Sequence, residues 1–200
     1  MFIWLAIIAT TIFLDQITKW LTVINLDLGE TYPLINGVFH FTYVRNEGAA
    51  FSIFSDPDER WIFMSISTVA IIALSIYLWT KRNDSRLLGV ALSFIIGGGI
   101  GNMIDRIALK YVIDMLDFRL INFAIFNVAD SFVCVGVGLF ALYVILDEIK
   151  AHKIIVNQNS QNVVINIENN INVEGENASS DVDINIGNIS VNAENNNQIN

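Results

Sequence analysis

Charged side chains are scarce in this chain. They make up 16% of its 200 residues, where a soluble protein carries roughly 25%. Apolar residues reach 54%, with a mean hydropathy of +0.52. That balance excludes an ordinary soluble domain and points to a membrane protein. Cysteine is reduced to one, Cys134. An intrachain disulfide is therefore impossible, and the apolar run around it fits a small packed hydrophobe. No Cys/His cluster suggests a metal, His40 and His152 stand isolated, and no metal or cofactor is expected. A basic patch is missing too, which sets nucleic-acid binding aside. The net charge of −9 is spread unevenly, with −5 after residue 150 and −4 before it.

What is present is a set of four apolar stretches, each near the roughly 20 residues that span a bilayer core. The first covers residues 2 to about 24 and is interrupted by Asp15, Gln16 and Lys19. It has no basic leading segment and no clear small-x-small site, so an uncleaved span is expected rather than a signal peptide. The second, residues 61–80, carries no charge, and the third, residues 87–104, contains Gly97, Gly98, Gly99 and Gly101. The fourth runs from about residue 120 to 146 and is broken only by Asn122, Asn127, Asp130 and Ser131. Between the first two lies an aromatic and β-branched run, residues 38–44, that predicts a strand. The short loop 81–86 holds Lys81, Arg82 and Arg86, which favours the cytoplasmic side. The other side carries about as many basic residues, so the orientation rests on that short loop. With it cytoplasmic, residues 15–19, 45–51, 102–106, 114 and 127–130 gather at or near the opposite face.

After residue 150 the composition changes. About 15 Asn alternate with Val and Ile, as in residues 162–167 and 181–187. The expectation is a cytoplasmic appendage, residues 151–200, that is disordered or weakly β, attached to a membrane domain of residues 1–150.

A carboxylate inside a span costs about 2.5–3.5 kcal/mol on insertion scales, so each is a candidate functional group. Asp15, Asp105, Asp114 and Asp130 qualify. Asp15 and Lys19 sit at i,i+4 and fit an anchoring pair. The glycines fit close helix packing, whereas a buried Asn102 needs polar partners. Arg106 offers a rigid fork of donors for an anion or a carbonyl. Asp114 and Asp130, brought to one dry site, could not both ionise freely; one would hold a proton beside an ionised partner. Such a pair suits water activation in peptide hydrolysis, and equally a proton relay in a transporter.

Five segments separate these readings. Asp15-Gln-Ile-Thr-Lys19, Val44-Arg-Asn-Glu-Gly-Ala-Ala-Phe-Ser52, Gly98-Gly-Ile-Gly-Asn-Met-Ile-Asp-Arg106, Tyr111-Val-Ile-Asp114 and Phe126-Asn-Val-Ala-Asp-Ser131 resemble the successive boxes of the lipoprotein signal peptidase family, also called signal peptidase II. The order and spacing match over about residues 1–148. Met115-Leu116 and the tryptophan-free segment 119–125 depart from the family's usual residues, and the tail has no counterpart. The Gly-x-Gly-Asp box of other membrane aspartyl proteases is absent, since Asn102 follows Gly99-Ile-Gly101.

The resemblance implies an all-α membrane protein in the bacterial cell membrane, with four transmembrane helices and both termini cytoplasmic. It also implies a small extracytoplasmic β-cradle between helices 1 and 2, with the active site near that face. It places the catalytic aspartates at Asp114 and Asp130. Supporting or substrate-binding roles fall on Asp15, Lys19, Asn46, Gly48, Asn102, Arg106 and Asn127. The implied substrate is a diacylglyceryl prolipoprotein, cut just before its lipidated cysteine; membrane lipid is the other partner, and a monomer is expected. Removing the chain after about Lys153 is expected to leave that cleavage intact, and a gel assay on the truncated protein checks it.

Overall fold

The computed structural model describes residues 2–47, 57–121 and 123–177. Helix α1 (Phe2–Asn25) leads into strands β1 (Thr31–Ile35) and β2 (Phe39–Asn46). Helices α2 (Pro57–Thr80) and α3 (Arg86–Ala108) follow, then strand β3 (Val112–Phe118), a short 3-10 turn (Arg119–Ile121) and helix α4 (Val128–Asn177). By contacts the chain divides into residues 1–148 and 149–200. Among the described residues, three helices are long and apolar enough to cross a membrane: α1, α3 and the Val128–Ile167 part of α4. The apolar part of α2, Met64–Thr80, is shorter.

Helix α1 is turned inside out relative to a soluble helix. Its buried residues are Trp4, Thr11, Asp15, Lys19 and Thr22, which recur at helical spacing along one face. Phe2, Phe13 and Trp20 face outward, more than half exposed. In water such a face would be unfavourable by about 25 cal/mol per Å²; against lipid it has no such cost.

Helix α3 is the centre around which the others pack, and small residues allow it. Gly89, Gly97 and Gly101 lie on one row. A Cβ at these positions would stand 2.5 Å from the Trp4 ring, 2.7 Å from Thr11 and 2.5 Å from Asp15 Oδ2 of α1. The next two glycines face other helices: Gly98 meets the Ala129 carbonyl of α4, and Gly99 meets Ile71 of α2. Three consecutive glycines thus serve three different neighbours, the close approach that small residues permit in membrane bundles. An apolar cluster of Trp4, Leu78, Leu88, Leu92 and Ile96 fills the space between α1, α2 and α3.

The three strands form one antiparallel sheet in the order β1-β2-β3. Gly37, at φ 72°, makes the turn between β1 and β2, a conformation glycine adopts without penalty. In β2, the register with β3 shifts between Phe41 and Val44, a bulge. Val44 pairs with Asp114 and Asn46 with Val112, so Asn46 and Asp114 are diagonal neighbours on one face. The other face packs Tyr43, Ile113 and Met115.

Three expectations are corrected. The sheet is not built solely from the segment between α1 and α2, because β3 comes from between α3 and α4. The fourth apolar stretch does not begin a helix near residue 120. Phe126 instead exchanges backbone hydrogen bonds with Leu116, and α4 starts only at Val128. Finally, among the described residues of the expected disordered or weakly β tail, α4 continues as helix through Asn177; residues 178–200 lie outside the described residues. No glycine or proline interrupts residues 139–174, and a helix satisfies its own backbone groups without a pairing strand.

Replacing Gly98 by Ala should cost about 1–3 kcal/mol, since the new methyl meets a backbone carbonyl that cannot yield. Gly138→Ala, where nothing lies within 4 Å, should leave stability unchanged or slightly raised. Thermal unfolding of the two variants in detergent provides the comparison.

Candidate active site

Asp114 lies on β3, where the pairing of Phe126 with Leu116 delivers the start of α4 beside it. Asn127 immediately precedes α4 and acts as its N-cap. Its side-chain Oδ1 accepts the Asp130 backbone N–H at 2.9 Å, while Asp130 Oδ2 accepts the Asn127 backbone N–H at 3.2 Å. This reciprocal arrangement is a capping box, with an aspartate in the place more often held by glutamate. Asp130 is thereby fixed in the first turn of α4, where the helix dipole favours a negative charge.

Both carboxylates are held by amides. Asp114 Oδ1 accepts from Asn127 Nδ2 at 2.7 Å, and its Oδ2 from Asn46 Nδ2 at 3.0 Å. Asp130 Oδ1 accepts from Asn102 Nδ2 at 2.7 Å. Asn127 Nδ2 also donates to Asn102 Oδ1 at 3.0 Å, which joins the two halves of the site. Arg106, one helical turn beyond Asn102 on α3, donates to the Asn102 carbonyl at 3.3 Å, and its charge acts on Asp130, Asp114 and Asp105.

Asp114 is 2% exposed. Burial pushes its carboxyl up to about 6, against a partly opposing effect of the Asn46 hydrogen bond, and the nearby Asp130 charge adds to the rise. A carboxyl so placed exchanges its proton near neutral pH, as acid–base work requires.

Beneath the pair lies a second polar layer. Lys19 Nζ contacts Asp15 Oδ2 at 2.8 Å, Asp105 Oδ2 at 3.0 Å and Asn102 Oδ1 at 2.9 Å. Gln16 Nε2 bridges Asp15, the Gly101 carbonyl and Asp105. Of the residues singled out from sequence, Asp15, Lys19, Asn46, Asn102, Arg106, Asp114, Asn127 and Asp130 come together here; Gly48 lies outside the described residues. Gln16 was not singled out, and Asp105 was weighed only as a span carboxylate. The signal for Gln16 was available: a polar residue beside Asp15 in an apolar helix needs buried partners.

The fold and the site together define an apolar, mostly helical protein with a pair of carboxylates, Asp114 buried in a strand and Asp130 half-buried in the first turn of α4, both held by amides. The family model for signal peptidase (SPase) II matches residues 7–146. The lipoprotein signal peptidase of Trichormus variabilis is 51% identical over 127 residues, covering 62% of this chain and 78% of that protein. That of Brevibacillus brevis is 47% identical over 145 residues, covering 72% and 96%. A solved bacterial membrane enzyme, determined by the in meso method, superposes with a TM-score of 0.67 at 29% identity, covering 74% of this chain and 90% of its own. The chain belongs to the signal peptidase II family.

Asn127→Ala removes the α4 cap and a donor to Asp114 at once. We expect a stability loss of about 0.5–2 kcal/mol, the usual range for a lost N-cap, accompanied by a far larger proportional loss of turnover. Unfolding and activity measured on one preparation would separate the two effects.

Proposed function

We propose that this protein is a membrane aspartyl endopeptidase that removes signal peptides from diacylglyceryl prolipoproteins, cutting just before the lipidated cysteine. The observation that carries this reading is the pair Asp114 and Asp130, joined through Asn102 and Asn127 in a chain of the signal peptidase II family. Family membership favours peptide hydrolysis over the proton relay that the carboxylates alone would also permit. The four apolar helices are read as four spans with both termini cytoplasmic, and the sheet as an extracytoplasmic cradle for substrate. The protein acts in the bacterial cell membrane as a monomer and needs no cofactor.

Asp114 carries the shared proton and Asp130 is the base. Deeper burial supports the neutral form of Asp114, which leaves Asp130, in the first turn of α4, the role of base. Asp130 takes a proton from water as its oxygen attacks the scissile carbonyl carbon. Asp114 gives its proton to the carbonyl oxygen; Asp130 then passes the proton it took from water to the amide nitrogen, and Asp114 recovers one from a hydroxyl as the tetrahedral species collapses to acid and amine. Asn46 and Arg106 hold the peptide backbone and lipid ester region, and Asp15 and Lys19 support the pair from α1.

The test is incubation of the detergent-purified protein with diacylglyceryl prolipoprotein, followed by mass spectrometry of the product. Asp114→Asn and Asp130→Asn should each abolish cleavage in a folded protein. Retained activity in either would refute the assignment. Because the singly protonated pair is the active form, kcat/KM should decline as pH rises through about 6.

A further inference from the structure

Lys19 is 2% exposed, and all three of its ammonium hydrogens are committed, to Asp15, Asp105 and Asn102. Each partner reaches onward to the proposed dyad. Asp15 Oδ1 accepts the backbone N–H of Ala129, next to Asp130, at 2.9 Å. Asp105 Oδ2 accepts the backbone N–H of Ile113, next to Asp114, at 3.1 Å. Asn102 touches Asp130 itself. One cation therefore ties β3 and the first turn of α4 to the same point on α1.

The contact with Asn102 does more than tie. An ammonium can only donate, so Asn102 must turn its Oδ1 toward Lys19 and its Nδ2 toward Asp130. The second lone pair of that Oδ1 then accepts from Asn127 Nδ2, which faces Asp114 and leaves Asn127 Oδ1 for the Asp130 N–H. The direction of Asn127 thus follows from that of Asn102. With Asn102 reversed, an amide oxygen would face the Asp130 carboxylate, acceptor against acceptor.

We infer that Lys19 is a positioning residue that sets the donor direction of Asn102 and Asn127, and through them the geometry of Asp130 and Asp114. This deepens the peptidase reading and rests on it. Replacing Lys19 by Met strips the cation but leaves two buried carboxylates unmatched, so it is compared with a Lys19→Met, Asp15→Asn, Asp105→Asn triple variant. There the new amides can still accept the Ala129 and Ile113 N–H groups, and no unmatched charge remains in the layer.

Both variants are assayed with diacylglyceryl prolipoprotein, and folding is followed by thermal unfolding. The triple variant should fold and lose about 100-fold in kcat, the scale of a misplaced reacting group, with KM little changed. Where Lys19→Met folds, the alkaline limb of its kcat/KM profile should move to higher pH, because the Lys19 charge lowers the Asp114 pKa. Undiminished kcat in either folded variant, an unmoved limb in folded Lys19→Met, or loss of fold in the triple variant would overturn the inference. Absence of cleavage by the unaltered protein would instead refute the peptidase reading itself.

Discussion

One buried ammonium holds the upper end of this structure together. Lys19 stands among two carboxylates and an amide at 2.8–3.0 Å; Asp15 and Asn102 also bind α4, and Asp105 binds β3. Burying an ion costs several kcal/mol unless its attractions and hydrogen bonds are nearly ideal. Removing one member of such a cluster is therefore far more harmful than never having built it. The cluster's worth lies in specificity: Asp15 recruits α4, Asp105 recruits β3, and Gln16 closes the gap to the Gly101 carbonyl. An apolar layer could bind these elements as tightly, but it could not specify which backbone N–H goes to which oxygen.

That cluster needs close helix packing, which the glycines of α3 provide. A side chain at Gly101 would occupy the position of the Asp15 carboxylate, and one at Gly98 would push away the Ala129 carbonyl. Packing and polarity are thus interlocked. The small residues let α1 and α4 approach α3, and only at that distance can Asp15 reach the first turn of α4. The exposed apolar surface of α1 completes the arrangement, since a chain that turns its polar residues inward must present its apolar ones to lipid.

The proposed dyad inherits its asymmetry from this frame. Asp114 sits in a strand, deeply buried, and takes its hydrogen bonds from the side-chain amides of Asn46 and Asn127. Asp130 sits at N3 of α4, inside a capping box. Two chemically identical side chains thereby meet different fields, the condition for one to hold a proton while the other does not. The network of Asn46, Asn102 and Asn127 restrains both carboxylates with neutral donors, which orient them without adding further charge.

Much of this was legible in the chain itself. Low charge and long apolar stretches determined the membrane class, because hydrocarbon accepts little else. The i,i+4 spacing determined the Asp15–Lys19 pair, since neighbours on a helix face are set by 3.6 residues per turn. Residues 38–44 read as strand, and β2 occupies Phe39–Asn46. What sequence could not supply were the long-range decisions. Residues 112–118 carry Asp114 and Asp117 without a clean apolar–polar alternation, and the edge offered by β2 makes them a strand. The apolar stretch around Phe126 could equally open a helix, but the Leu116–Phe126 bridge keeps Phe126 out of one and α4 starts only at Val128. The Asn-rich segment alternates like a strand, yet its described part continues α4 as helix through Asn177. The sequence by itself determined which polar groups must be buried and must therefore find partners. Beyond the Asp15–Lys19 pair, the tertiary structure decided which partners those are, because hydrogen-bond direction depends on where a donor-only ammonium lands among acceptors drawn from α1 and α3.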